Sequence, residues 1–338
     1  MTAIFVNLLT WINNLVGNYG WSIVVFTLLI RLFLLPLDIK SKKSMRAMSK
    51  IQPKVQALQK KYANDKEKLN QKTMELYRKE HVSPTAGCLP MLISLPILWI
   101  MFSAMRTLGN EYTIQMLLDM KASGKPLTVE ALRAAGYSWL WIKNVFQPDS
   151  PLATILPAVG SNLRMIQPVK GSAILTAENI ATALEFLKSS EYSAMASNLI
   201  PASAFTVQPI NFLFINTTLT IPNSIANLFK YGNGLFILPL LAGGSQFFMT
   251  KLMNGKQTPE QKEMQAAQQA DQSNPMNSPV MKWFFPLFSV WICATSNAAF
   301  SIYWMAANVI QILQQMAVNY WFERQDAKTA ELEPGTDE

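Results

Sequence analysis

The sequence is poor in the residue types that most catalytic chemistry needs. Among 338 residues there is a single histidine, His81, and only two cysteines, Cys88 and Cys293. His81 falls in a lysine-rich loop, so no Ser/His or His/Asp set can form inside the apolar segments, which excludes an intramembrane hydrolase of that kind. The cysteines show neither metal spacing nor a disulfide framework, and both lie in apolar runs that suit core packing. No GxxxxGK[ST] phosphate loop occurs, so the chain is expected to hydrolyse no nucleotide. Charge is also scarce: 15% of residues are charged, against roughly 25% in ordinary soluble domains. The net charge of +8 would suit nucleic acid only if spread over a soluble surface. It is concentrated in one loop instead, so no direct nucleic-acid partner is expected.

What is present is apolar length. Half of the residues are hydrophobic, with nine Trp and eighteen Met. Five stretches approach the roughly 20 apolar residues of a bilayer crossing. They run over 20–39, over 84–108 (apolar from Cys88 to Leu108), over 234–253, and over 280–322 as a tight pair hinged at Ser296–Ala298. Before them, 1–19 carries Asn7, Thr10 and Asn14 at helical spacing, the pattern of an amphipathic helix lying in the interface. It has no basic n-region or cleavage site, so no cleavable signal is expected. Residues 40–83 hold 13 Lys and Arg against 4 acids, whereas 109–230 hold 8 against 7. The positive-inside rule then puts 40–83 in the cytoplasm, the N-terminus outside and the C-terminus inside.

The basic loop has structure of its own. Met45, Met48, Ile51, Val55, Leu58 and Tyr62 recur every three or four residues, Asn64 and Asp65 offer a break and cap, and Leu69, Thr73 and Leu76 continue the stripe. A helical hairpin with lysines facing solvent follows, with Pro53 as a kink or restart. In the extracytoplasmic segment 109–233, Leu127–Ala134 and Ala177–Lys188 read as helices, the second capped by Thr176. The stretch 200–229 is apolar but broken by Pro201, Pro209 and Pro222, so it is expected to lie against the membrane rather than cross it. Residues 254–279 read as a mobile cytoplasmic loop and 323–338 as an acidic tail.

Arg31 is the sharpest feature. It precedes Lys40 by nine residues, about 13 Å of helix, which places it near the middle of a bilayer core of about 30 Å. A guanidinium there costs at least about 2.5 kcal/mol unless it meets water or a partner. Thr27, Arg31 and Asp38 share a face. On the last helix Ser301, Trp304, Asn308, Gln311 and Gln315 share another, and Gln246 and Thr250 stand one turn apart on the third. Such stripes can glue helices together or line a polar cavity. A channel or small-solute transporter with Arg31 as an anion site is the competing reading, but neither inverted repeats nor broken half-helices are evident.

Three segments carry a resemblance. GWSIVVFTLLIRLFLLPL (20–37), SPTAGCLPMLISLPI (83–97) and IYWMAANVIQILQ (302–314) resemble, in order and spacing, core helices of the YidC family of membrane protein insertases. The resemblance implies an all-α integral membrane protein of the bacterial cell membrane, with five transmembrane helices around a hydrophilic groove. By the resemblance Arg31 is the groove arginine and Gln246 and Trp304 match other groove positions; with Thr27, Asn308 and Gln311 from the polar stripes they form the expected client-binding groove, without catalytic residues, metal or cofactor. The implied partners are nascent membrane proteins, with the Sec translocon, the ribosome or signal recognition machinery, and membrane lipids. The chain departs from the family pattern at SNAA (296–299), where a proline-containing turn is common, at Ser94, in its long outer segment and in its short acidic tail.

Overall fold

The computed structural model describes residues 2–81, 89–157, 166–212, 215–253 and 279–332. The expected mobile loop and Cys88 lie outside the described residues. The chain divides into two compact units, one of Met1–Leu28 with Phe102–Gln315, the other of Leu29–Met101 with Met316–Glu338.

In the first unit, α1 (Thr2–Val16) buries Leu9 and Ile12, the apolar side that period 3.6 assembles, and sets Phe5 edge-on to Phe26 at 5.9 Å. It stops at Gly17, whose φ of +71° suits glycine at a helix C-terminus. After two residues α2 begins (Tyr19–Lys61). Helix α4 (Leu89–Ser123) does not end at Leu108 as expected. Its second half carries Ile114, Leu117 and Met120 at spacing 3 into a separate hydrophobic core, and that packing carries the helix on to Ser123.

This core organises the outer segment. Leu132 comes from α5 (Val129–Ala134), Ile180, Phe186 and Leu187 from α6 (Ala177–Leu187), and Tyr192 and Met195 from α7 (Ser190–Leu199). Each fully buried Leu, Ile or Phe contributes about 1.5–3 kcal/mol by leaving water. Thr128, Thr176 and Ser189 cap the three helices by accepting from Ala131, Asn179 and Tyr192 N–H groups. The Tyr192 hydroxyl donates to Pro157 O at 2.7 Å, and burial raises its pKa.

The all-α expectation fails between 205 and 222. Strands β1 (Phe205–Phe212) and β2 (Ile215–Pro222) pair antiparallel, Phe205 opposite Pro222 and Phe212 opposite Ile215. Thr217, Thr218, Thr220 and Ile221 are β-branched and stiff at χ1, which favours strand over helix. Pro209 is tolerated because a two-stranded sheet leaves each strand an edge. The short α8 (Ile225–Tyr231) follows, then α9 (Ile237–Met253), α10 (Pro279–Thr295) and α11 (Ala298–Leu332). Phe247 of α9 stacks on Trp283 of α10 at 5.3 Å.

The second unit contains the basic hairpin. Helix α2 passes without a break through Ile39, the expected end of the first span, and through Pro53. The proline removes one backbone hydrogen bond, but buried Ile51 and Val55 on either side hold the segment helical by packing. The turn lies where Asn64 and Asp65 suggested: Asp65 accepts from Lys68 N at 3.0 Å and caps α3 (Lys66–Lys79). Lys54 and Glu80 pair at 2.6 Å and tie the two arms together. Leu69, Thr73 and Leu76 are only half-buried, so the second arm hides less of its stripe than a closed hairpin would. Beyond Phe322, α11 continues to Leu332 rather than giving way to a tail at 323. The Arg46 guanidinium sits 4.8 Å over the buried Phe322 ring.

Candidate functional site

Two apolar helices of the first unit carry the polar residues of interest. On α11, Ser301 and Asn308 are buried, while Trp304 and Gln311 are half-buried. Asn308 Nδ2 donates to Ser245 Oγ on α9 at 3.1 Å, and Ser245 Oγ donates back to Ala242 O at 3.0 Å. The two helices are therefore joined by a side-chain hydrogen bond one residue from half-buried Gln246. The indole N–H of Trp304 is buried and meets no acceptor among the described residues. Ser301 Oγ donates to Cys293 O at 3.0 Å, so that stripe member serves the packing of α10 on α11.

On α2, Thr27 is buried and its hydroxyl donates to Ile23 O at 2.6 Å. It satisfies itself within its own helix, as threonines in apolar helices do. Arg31 lies one turn further on, half-buried, in the second unit. Of the six expected site residues, the structure joins Asn308 to α9 beside Gln246 and places Trp304 and Gln311 with them in the first unit. It brings Thr27 to none of these by any hydrogen bond of its hydroxyl.

Sequence reasoning missed the residues that position these helices. Asp149, fully buried, accepts from Leu235 N at 2.8 Å, Phe236 N at 3.2 Å and Leu238 N at 2.7 Å. It caps α9 from 86 residues away in sequence, and its charge suits the positive end of the helix dipole. A Cβ on Gly234 would fall 1.9 Å from Asp149 Oδ1, so only glycine admits the carboxylate. Asn233 Nδ2 donates to Asn144 O and Pro148 O, both at 2.9 Å, and its Oδ1 accepts from Asn144 N. Lys143 Nζ donates to Phe229 O, Lys230 O and Gly232 O at 2.7–2.8 Å, closing the C-terminus of α8, and burial lowers its pKa. Asn297, in the SNAA turn, caps α11 by accepting from Phe300 N and donates to Met105 O on α4. The Asn297 cap on Phe300 N is local and within reach of sequence spacing, whereas the partners of Asp149, Asn233 and Lys143 stand 85 or more residues away. For those three the only local signal was Gly-Asn-Gly at 232–234.

These residues stand in a mostly helical protein. Among the described residues one helical stretch, Tyr19–Ser44, is long and apolar enough to cross a bilayer, and Ala3–Val16, Ile237–Met249 and Trp283–Thr295 are shorter apolar helices. The sequence matches the profile of the 60Kd inner membrane protein family over residues 11–220 and 191–326. The chain belongs to this family. Relatives named membrane protein insertase YidC include one from Fusobacterium nucleatum, 51% identical over 100 residues (30% of this chain and 49% of the relative). One from Caldanaerobacter subterraneus is 50% identical over 100 residues, again 30% of this chain and 48% of the relative. One from Bordetella petrii is 41% identical over 112 residues, 32% of this chain and 20% of the relative. The matched stretches thus span half or less of each of these relatives. The resemblance read from the three motifs is to the same family.

Proposed function

We propose that the protein is an insertase and chaperone of the bacterial inner membrane, receiving newly made membrane proteins without hydrolysing nucleotide or performing covalent chemistry. The observation that carries this reading is half-identity over 100 residues to a relative named membrane protein insertase YidC. The polar residues add a physical route. Arg31 on α2, with Thr27, and the set Gln246, Trp304, Asn308 and Gln311 on α9 and α11 each offer hydrogen bonds to polar parts of a client, lowering the barrier that hydrocarbon sets against them. The unaccepted Trp304 N–H supports such a role, because a buried donor without an acceptor costs about 1–3 kcal/mol. The guanidinium attracts acidic residues of the translocated segment.

In this reading α2, α4, α9, α10 and α11 all cross the membrane, α1 lies in the interface, the hairpin faces the cytoplasm and captures clients or their delivery machinery, and 109–233 lies outside. Helices α9 and α10 have 17 residues each, about 25 Å, enough for a crossing with little tilt. The Sec translocon, the ribosome and signal recognition machinery are proposed partners, with lipid. Purified protein in liposomes should promote insertion of a small single- or double-spanning client over protein-free liposomes. Client insertion equal in the two preparations would refute the reading, and protein-dependent release of trapped anions without insertion would favour the solute-transporter alternative.

A further inference from the structure

A small turn at one end of α2 has a residue that local chemistry does not explain. Trp139 and Ile142 exchange backbone hydrogen bonds, N to O at 2.9 and 2.8 Å, closing a two-residue hairpin with Leu140 and Trp141 at its tip. Such tips favour Asn, Asp or Gly, because the backbone enters the left-handed region. Leu140 has φ +49°, which disfavours a side chain with a Cβ by about 1–2 kcal/mol. It is also 64% exposed, so burial offers no compensation.

The turn is fixed to the first residues of α2. Trp139 is buried against Gly20, where a Cβ would lie 2.2 Å from its ring, and its ring meets the Trp21 ring at 5.6 Å. Tyr19 N donates to Gly136 O at 2.9 Å and Asn18 Nδ2 to Ser138 O at 2.8 Å. On the far side, Trp141 Nε1 reaches Asp149 Oδ2 at 3.4 Å. Tyr19 opens the stretch long enough to span, and a span ends where hydrocarbon meets headgroups, the level at which Trp and Tyr concentrate. Tyr19, Trp21, Trp139 and Trp141 gather there, and no charged residue occurs from Tyr137 to Ile142.

We propose that the Leu140–Trp141 tip is a lipid anchor, with Leu140 inserted at the headgroup–acyl boundary beside the end of α2. Lipid is the occupant because the turn is continuous with the end of a membrane helix and held rigidly to it. A strained, exposed leucine is retained where its side chain leaves water for the bilayer. The anchor fixes the depth of the outer segment, and through Trp141 and Asp149 it connects the interface to the cap of α9. This rests on α2 spanning the membrane and not on the insertase activity.

The test uses the full chain with Cys88→Ser and Cys293→Ser, in vesicles of phosphatidylethanolamine and phosphatidylglycerol. Nitroxides at Leu140→Cys, Phe33→Cys (81% exposed in the span) and Glu130→Cys are compared for collision with oxygen and with a water-soluble nickel chelate. Leu140 should favour oxygen severalfold over Glu130 and resemble Phe33. Chelate contact at Leu140 with oxygen contact at Phe33 would overturn the anchor alone, and chelate contact at both would overturn the span. A Leu140 label shielded from both reagents would show a protein occupant and overturn the lipid assignment. Leu140→Asn suits the left-handed backbone. It should unfold in micelles no lower than the parent and lose part of the parent's thermal gain on transfer to vesicles, and an undiminished gain would count against the anchor.

Discussion

Asp149 illustrates how much can rest on one side chain. Asp149→Ala leaves three N–H groups at the start of α9, one buried and two half-buried, without their acceptor. The expected loss is about 2–3 kcal/mol, read as a lowered unfolding temperature in detergent. Gly234→Ala should lose a similar amount through displacement of the same carboxylate, and the double variant should lose much less than the sum, because the two act on one cap. At Arg31 the expectation concerns activity. Arg31→Ala should impair insertion of clients with acidic residues in the translocated segment, while Arg31→Lys retains much of it. Equal activity of the alanine variant on every client, at equal expression, would remove the proposed role. Glu80 answers to pH. Its hydrogen bond and charge pairing with Lys54 hold its carboxyl below the ordinary glutamate value, so the pairing contributes above the ordinary range near pH 4 and is lost as pH falls through the lowered value. Hydrogen exchange over 50–80, corrected for its intrinsic pH dependence, should lose protection in the parent as pH falls through that value and show no such step in Lys54→Met.

Among the elements, the hairpin of α2 and α3 carries the most concentrated charge. If it captures clients or delivery factors, neutralising several of its lysines while keeping Ile51, Val55 and Leu58 should slow insertion in correctly oriented protein. The defect should shrink as salt rises, because attraction over a Debye length of about 8–10 Å chiefly speeds encounter. Normal rates at low salt would leave the hairpin with topology as its only task. The hairpin was legible from sequence since its stripe and its Asp65 cap are local. So were α5 and α6, the second through its Thr176 cap. The β1–β2 hairpin was not: 200–229 reads as apolar with three prolines, and only pairing with a second strand turns that composition into a sheet.

For the whole molecule, orientation is the outstanding quantity. With both native cysteines replaced, a single cysteine at Asn70 should be shielded from an impermeant outside reagent and one at Glu130 should react, since both side chains are exposed. Reaction at Asn70 from outside would overturn the proposed topology. The sequence by itself determined membrane character, family and the helical stretches, because apolar length, lysine asymmetry and short motifs are properties of neighbouring residues. It also marked the α11 stripe, which period 3.6 alone aligns. Tertiary structure alone decided where α4 stops and that 112–157 and 166–199 build their own core. It likewise decided that Asn308 meets Ser245, and that Asp149, Asn233 and Asn297 set the helix ends. A buried polar group must find a partner wherever the fold brings one. Apart from the local cap of Asn297 on Phe300 N, those partners stand tens of residues or more away, at distances over which sequence spacing is silent.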